Sequence, residues 1–451
     1  MPGLIQGLEI ARRALLAHQS AMNITGHNIA NVATEGYTRR RPVLTPTVPE
    51  TTPWGIVGTG VQLEDVARTR NTFLDDQVRK ESALAGSWDA RSQVLQQVEA
   101  VLGEPSDDAI AGLLDQFYNA WLELSNQPED FGARAVVLQS AEALVSGLRD
   151  QDARLDDVIE STDLEVEQRV KDINATLHEV GNLNLQIQQS EVTGSVDADL
   201  RDRRDQLLDQ LAREAGATHL IRADGSVVVR LGGRTAVEGT DVHGLRAERY
   251  TVGGKLEVRV LFESDNSYPR DLSGELGGII SVREEVLPRF RNQLDGLVAG
   301  LVDRVNQIHR AGPSGVNFFV GETIDTLEVE PEIAADITRI NAGSSGDPGD
   351  NDIALALAAL RDERFLERGT ATAGDVFRQI VTEVGSLTRQ AGSVSGAQAA
   401  AFNAVVVQRE SVIGVSLDEE LTNLVETQKA YEAAARVFSS AAEMIDVLLA
   451  M

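Results

Sequence analysis

Toward the end of the chain, Leu417, Leu421, Leu424, Gln428, Tyr431, Ala435, Phe438, Ala442, Ile445 and Leu449 recur at alternating steps of four and three residues. That spacing stacks side chains on one face of an α-helix. Held over more than four heptads, it is the mark of a coiled coil. A helix of ~35 residues is roughly 50 Å long and cannot bury such a stripe by itself. The start of the chain has the same pattern in Leu4, Leu8, Ala11, Leu15, His18, Met22, Thr25 and Ile29. Beside it runs a second row, Ile10, Ala14, Ala17, Ala21, Ile24, Asn28, Asn31. This row is apolar as far as Ile24 and then turns to amide. Further seams lie between the ends: Leu113 to Leu124, Val137 to Leu148, Val166 to Ile187, Leu287 to Leu301 and Phe377 to Val394.

Two stretches break the helical pattern. Four of the twelve prolines fall in "RPVLTPTVPETTPWG", between Pro42 and Pro53, which predicts an extended or looped arm. Residues 216–271 alternate in short β-branched runs separated by Asp224-Gly225, Gly232-Gly233 and Gly253-Gly254, signals for hairpins. "KLEVRVLF" within them reads as a half-buried strand. Residues 311–350, rich in Gly, Asp, Ser and Pro, predict loop. The expected fold is mainly α with a small inserted β domain: long terminal coiled-coil helices and a central helical bundle. The expected division is 1–87 plus 396–451 for the terminal region with its arm, 88–215 plus 272–395 for the helical domain, and 216–271 for a β domain folding separately.

Charge and composition narrow the chemistry. The 451 residues include 70 acidic and 41 basic side chains, a net charge of −29. Nucleic acid and anionic lipid are therefore not expected partners, since both are held through Lys and Arg. No uncharged stretch is apolar enough to predict a membrane span. Cysteine is absent, which excludes disulfides, thiolate metal sites and cysteine nucleophiles. "MPGLIQGLEIARR" lacks the form of a cleavable secretory signal. The six histidines are scattered without metal-ligand spacing. "DADLRDRRDQLLDQ" sets Asp197, Asp199, Asp202, Asp205 and Asp209 among arginines. It reads as a solvated face with local pairs Asp199–Arg203 and Arg201–Asp205. "GDPGDNDIA" lacks the ligand alternation of a calcium loop and reads as a helix entry capped by Asn351 or Asp352. No P-loop, dinucleotide or nucleophile-elbow motif occurs. No catalytic residue, cofactor or metal is expected.

Both ends carry recognisable signatures. "NITGHNIANVATEGYTRRRP" resembles the N-terminal signature of bacterial flagellar axial proteins, an Asn-rich helix end leading to a Thr-x-Gly-aromatic turn. "GVSLDEELTNLVETQKAYEAAARVFSSAAEMIDVLL" resembles their C-terminal signature. Within that family "GYTRRRP", "DLRDRRDQLLDQLA", and "VNQIHRAG" followed by "FF" and "SGDPGDNDIALALAALRD" resemble the hook-associated branch. The chain is short in the outer region compared with longer members. The resemblance implies a structural subunit joining hook to filament, with the β domain facing outward. It implies a ring or helical layer of copies, contacts with hook protein and a second junction protein, and export through the flagellar type III channel without a cleavable signal. It also implies a chaperone on the C-terminal helix, bound helix-in-groove.

The self-assembly residues expected are Leu4, Leu8, Leu15, Met22, Asn28, Ile29, Asn31, Gly36 and Tyr37 at the front. At the back they are Leu417, Leu421, Leu424, Tyr431, Phe438, Ile445 and Leu449. Exposed seams at the two ends suit folding on assembly, neighbouring copies burying what one copy cannot. Asn28 and Asn31 have two readings. Either they cap the carbonyls of their own helix end, or they bond across to a neighbouring helix or the returning chain and fix register. Gly36 is placed for a left-handed helix terminator. The alternatives to a junction subunit are a hook or distal-rod subunit, expected to be β-rich between its ends, a secreted hydrolase or binding protein with a convergent pocket, and a coiled-coil adhesin.

Overall fold

The structure, a computed structural model, describes residues 2–34, 36–52, 55–102, 110–192, 197–222, 224–252 and 255–450. The Gly253-Gly254 hairpin signal and Pro53 of the arm lie outside the described residues. Helix α1 (Pro2–Ala30) opens the chain, and an arm of four strands follows: β1 (Arg40–Pro46), β2 (Glu50–Thr52), β3 (Gly55–Val57) and β4 (Val61–Arg68). Next come α2 (Thr72–Leu102), α3 (Ile110–Asn126), α4 (Phe131–Val192) and α5 (Ala198–Ala215). The β unit comprises β5 (Thr218–Ile221), β6 (Val227–Leu231), β7 (Arg234–Glu238), β8 (Asp241–Val242), β9 (Leu245–Val252) and β10 (Lys255–Phe262). The return consists of α6 (Gly274–Ser281), a π-helical turn (Val282–Val286), α7 (Leu287–His309), β11 (Phe319–Val320), β12 (Glu328–Val329), α8 (Pro331–Ala335) and α9 (Asp352–Ala359). Two long helices, α10 (Ala373–Ile413) and α11 (Leu417–Leu449), end the chain. The fold is mainly helical, with a central bundle and an inserted β region, as the spacing predicts.

The terminal helices pack on each other within one chain. They run antiparallel, with Asn28 beside Glu420. Helix α11 turns Glu420, Leu424, Tyr431, Phe438, Ala441 and Ile445 toward α1, each buried or half-buried. The side that α1 buries most completely holds Ala11, Ala17, Ala21, Thr25 and Asn28. Small side chains there let the two backbones approach closely.

The arm is more ordered than its prolines suggest. Strands β1 and β4 pair antiparallel from Arg40↔Arg68 to Pro46↔Val61, and β2 pairs with β3 at the tip. A two-stranded ladder has only edge strands, where proline is tolerated. The arm folds back along α1. Gly60 lies over Ile10, with room for a Cβ 3.5 Å from the Ile10 Cα. Near the tip, Gln6 donates to Glu50 at 3.4 Å.

In the centre, the seams at 137–148 and 166–187 merge into one helix of 62 residues, roughly 93 Å long. No proline interrupts it. Helix α3 packs back on its start, and α2 packs along α10. Helix α10 begins with a capping box in which Thr372 and Asp375 satisfy each other's backbone N–H. The region 311–350 is largely loop, yet it buries Phe318, Phe319, Ile324, Leu327, Ile333 and Ile340. Phe318 and Phe319 pack with Phe117, and Phe318 also meets Trp121 and His309. His309 is fully buried. Its Nδ1 bonds Val316 O at 2.9 Å, and its Nε2 accepts the Asn341 N–H at 3.0 Å. Burial pushes its pKa down to about 4, so it is a neutral packing residue. Asn351 sits at the start of α9 without capping it; its amide donates to Ser125 O at 2.7 Å.

Strands β5 to β8 form an antiparallel sheet in sequence order, and β9–β10 form a separate hairpin. Val227, Val229, Val237, Val258 and Phe262 belong to the same contiguous core as the helices. Separate folding is therefore not expected of residues 216–271. Asn184 of α4 fastens the join. It donates to Val227 O and Gly239 O, both at 2.9 Å, and accepts the Val227 N–H at 3.0 Å. Buried Arg204 adds bonds to Asn184 and to Gly225 O at 2.7 Å. Asn184→Leu should cost about 3 kcal/mol, because it strands buried backbone groups. Urea midpoints measured on wild type and variant check this; an unchanged midpoint contradicts it.

Candidate functional site at the root of the terminal helices

Asn28 lies where α1, the arm and α11 converge. It is 1 % exposed. Its amide nitrogen donates to Arg40 O at 2.8 Å and to Glu420 Oε2 at 2.9 Å. Its oxygen accepts the Arg40 N–H at 3.0 Å and the Tyr37 hydroxyl at 2.7 Å. That is the full capacity of a carboxamide, two donors and two acceptor positions. One side chain thereby fixes the returning chain and the partner helix together.

Glu420 completes the arrangement from α11. It is 2 % exposed, and its Oε1 accepts from Arg39 Nε at 2.7 Å. Arg39 also reaches Glu419 at 2.8 Å. Tyr37 stands over the helix end. His27 Nδ1 lies 3.0 Å from its hydroxyl, and the Arg40 guanidinium lies 5.4 Å from its ring centroid. Since that hydroxyl donates to Asn28, His27 is its donor. Burial pushes the Tyr37 pKa up to about 12, so it remains a neutral donor.

Asn31 behaves differently. Its amide donates to His27 O, one turn back, at 2.9 Å, and its oxygen accepts from Thr34 at 3.1 Å. These are local helix-end bonds at a half-buried position, the capping reading. The two asparagines of the amide row thus divide the two readings between them. Gly36 has φ +76°, and a Cβ there would fall 2.0 Å from Gln206 Nε2. Left-handed backbone is cheap only for glycine. Gly36→Val should therefore destabilise the turn by about 2 kcal/mol and loosen the arm root, visible as faster amide exchange at Thr38–Arg40. Unchanged exchange contradicts this.

Below this turn, the acidic row of α5 departs from the solvated reading. Asp199, Asp202, Asp205 and Asp209 share one helix face, and Asp202 and Asp205 are buried. Asp199 pairs with Arg40. Arg68 bonds Asp202 at 2.7 Å and Asp205 at 2.8 Å. Arg70 reaches Asp75 at 3.0 Å and Asp205 at 3.4 Å. Arg79 bonds Asp209 at 2.6 Å and reaches Asp205 at 3.8 Å. The expected local pairs do not form: Arg203 turns to Glu179, and Arg201 to Glu191. The reason is that arginines of the arm and α2 compete for the row and exclude water from it. Asp197 caps the helix, accepting from Asp199 N and Leu200 N. Burial raises the Asp202 and Asp75 pKa values, while the surrounding arginines outweigh burial at Asp205 and lower its own.

The other expected assembly residues divide by face. Leu4, Leu8, Leu15, Met22 and Ile29 are half-buried on α1, as are Leu424, Tyr431, Phe438 and Ile445 on α11. Leu417, Leu421 and Leu449 are exposed. Sequence reasoning did not single out Arg39, Glu420, Arg68, Arg70 or Arg79. The available signal was the acidic row itself, whose three- and four-residue steps mark one face as plainly as an apolar seam does.

Catalytic geometry is not what these groups build. No cluster of three metal-ligating side chains occurs among the described residues, and no described helix is long and apolar enough to cross a membrane. A cleft of about 810 Å³ lies between α4, β9–β10 and the π-helical turn. Its arginines are engaged in ion pairs: Arg283 with Asp163 at 2.5 Å, Arg291 with Asp152 at 3.2 Å.

Comparison with known proteins agrees along the whole chain. Residues 95–319 match the model of the flagellar hook-associated protein FlgK helical domain. Residues 8–38 match the flagella basal body rod protein model, and 411–451 the flagellar basal body rod FlgEFG protein C-terminal model. Flagellar hook-associated protein 1 of Bacillus subtilis is 28 % identical, over 100 % of this chain and 98 % of its own length. The Salmonella typhimurium protein of that name is 24 % identical over 97 % of this chain and 98 % of its own. That alignment spans 554 positions, so the relative carries segments that this 451-residue chain lacks. The solved flagellar hook junction protein FlgK of Burkholderia pseudomallei shares the fold, with a TM-score of 0.64 at 14 % identity, over 74 % of this chain and 100 % of that one. The terminal matches alone fit rod subunits too, but the helical domain between them and the end-to-end relatives do not: by sequence and by fold the chain matches the flagellar hook-associated protein 1 family.

Proposed function

We propose that the chain is a structural subunit of the bacterial flagellum, working outside the cell, that joins hook to filament by self-assembly of its terminal helices into a ring or helical layer. The observation that carries this is the apolar surface that α11 leaves uncovered. Leu417, Leu421 and Val425 are exposed near its start, and Val437, Met444 and Leu448 near its end, on either flank of the face that α1 covers. Apolar groups exposed in this number on one helix mark an interaction site. The partners proposed are other copies, hook protein and a second junction protein. Before assembly, an export chaperone holds the C-terminal helix, exposed apolar side chains of α11 lying in its groove, and export proceeds without a cleavable signal. The division into terminal region, helical domain and β unit is kept as a reading of assembly roles. Helix α5 ends at Gly216 in a left-handed cap, which supports that boundary.

Immunogold labelling of isolated hook–basal bodies tests the location. Label confined to the hook tip is expected; label along the filament or on the cell body overturns the reading. The faces of α11 make a sharper test. Leu421→Asp with Val425→Asp should reduce incorporation at least tenfold while the chain's helix content and unfolding midpoint hold. Phe438→Asp, which faces α1, should disturb the lone chain as well. Normal filament attachment in the first variant contradicts assembly through that exposed surface.

A further inference from the structure

We propose that the arm tip of one copy docks on the open edge of strand β5 in the next copy, Val48 and Ile56 packing against Leu220, Ile221 and Phe73. This rests on the self-assembly reading and specifies a contact between copies.

Among the described strands, β5 is hydrogen-bonded to β6 alone. Half of its backbone groups therefore face away from the sheet. Edge strands are commonly blunted by lysine, proline or a bulge. β5 reads "THLI" and pairs in unbroken register, with none of these devices. Leu220 is 64 % exposed, and Ile221 is also exposed. Phe73, on the first turn of α2, is 73 % exposed. It lies one turn before Asp76, which stands 3.7 Å from His219 of β5. These groups form an apolar edge beside a helix, suited to an added strand.

The arm tip has the complementary need. A two-stranded hairpin is marginal alone, and among the described residues β2–β3 has no other strand neighbour. Val48 is 86 % exposed and Ile56 74 %.

Within one copy the two surfaces lie at opposite ends of the arm. The tip is beside Gln6, 22 residues along α1 from Asn28, roughly 33 Å away. β5 is at the other end, by the first turns of α2, which directly follows the arm root. The occupant of the edge is therefore a second copy, and the contact is head-to-tail, the type that builds rings and stacks. Charge agrees. In a chain of net charge −29, copies repel wherever carboxylates meet. From Leu44 to Gln62 the only charged residue is Glu50. Lys80, one turn beyond Asp76 on α2, is exposed and offers Glu50 an opposite charge.

The chain has no cysteine, so introduced thiols report cleanly. Ile56→Cys and Leu220→Cys, carried on separate full-length chains, are co-expressed in cells making flagella. Hook–basal bodies are then isolated and oxidised. A disulfide-linked dimer is expected when both variants are present. It should be at least tenfold weaker when Leu185→Cys, exposed on α4, replaces Leu220→Cys. Leu220→Lys without cysteine should lower incorporation at least fivefold without shifting the unfolding midpoint. Both variants in place at the hook tip with no linked dimer overturns this inference alone. A disulfide formed within one chain of the Ile56→Cys/Leu220→Cys variant in dilute solution overturns it too. Wild-type protein absent from the hook tip overturns the assembly reading and this inference with it.

Discussion

Asn28→Leu should uncouple the terminal helices, whereas Asn31→Leu should not. Leucine at 28 removes four hydrogen bonds at once. The Arg40 N–H and C=O and the Tyr37 hydroxyl lose a buried partner, and Glu420 keeps a buried charge with one donor fewer. Each unsatisfied buried group costs about 1–3 kcal/mol, and the carboxylate is the most demanding of them. A loss of at least 3 kcal/mol in local stability is expected. It should appear as hydrogen exchange along α1 and α11 accelerating more than a hundredfold. Junction occupancy and filament retention should fall with it, since misregistered helices present the exposed apolar residues of α11 at the wrong height. Leucine at 31 removes only an exposed bond to His27 O and one to Thr34, about 1 kcal/mol at a helix end. Its junctions should be close to wild type. Glu420→Gln separates charge from shape. A neutral amide still accepts from Asn28 but holds Arg39 poorly, so an intermediate loss is expected. Equal behaviour of the 28 and 31 variants would show that the contact to α11 sets nothing.

The contrast between those residues shows how far the sequence is legible. The period of the terminal seams, and of the shorter seams between them, comes from local geometry, so it reads directly from spacing. Which face meets which partner does not. Leu421 and Leu424 belong to one seam, yet Leu424 turns toward α1 and Leu421 toward solvent, because the α1 contact line runs along alanines and leaves the seam's edge uncovered. The arm reads as extended from its prolines, but its pairing depends on register between residues some 20 apart, and its course along α1 on contacts with no local signature. The fate of Asn28 depended on a glutamate 392 positions away. The acidic row of α5 failed to read correctly for the same reason. Local pairing with Arg201 and Arg203 is what an isolated helix offers, whereas the arginines that win are set by the path of the arm and α2. The β unit reads correctly as strands because alternation is local. Its fusion with the helical core does not, because Asn184 looks like an ordinary seam position.

Asp205→Asn should be the most damaging single change at the arm root. Asp205 is buried and meets Arg68 at 2.8 Å, Arg70 at 3.4 Å and Arg79 at 3.8 Å. Asparagine keeps the shape but leaves three guanidinium groups sharing too few carboxylates. Breaking a buried pair from one side costs about 3–5 kcal/mol. Asp209→Asn, at a half-exposed position in the same row, should cost under about 1 kcal/mol. The pH dependence separates charge from packing. The Asp205 pKa is lowered in the fold, so its contribution is complete above the unfolded value of about 3.9 and is lost as pH falls through the folded one. Asp75 and Asp202 carry raised values because of burial. They act with the opposite sign, favouring the fold as pH drops toward about 3.9. Wild type should therefore hold its arm through mild acid and give way below that value. Asp205→Asn should be weaker at neutral pH yet lose less on further acidification. Arm release can be followed by limited proteolysis between Arg39 and Arg70 from pH 7 to pH 3. Parallel pH profiles for wild type and Asp205→Asn would mean that the Asp205 charge does not hold the arm.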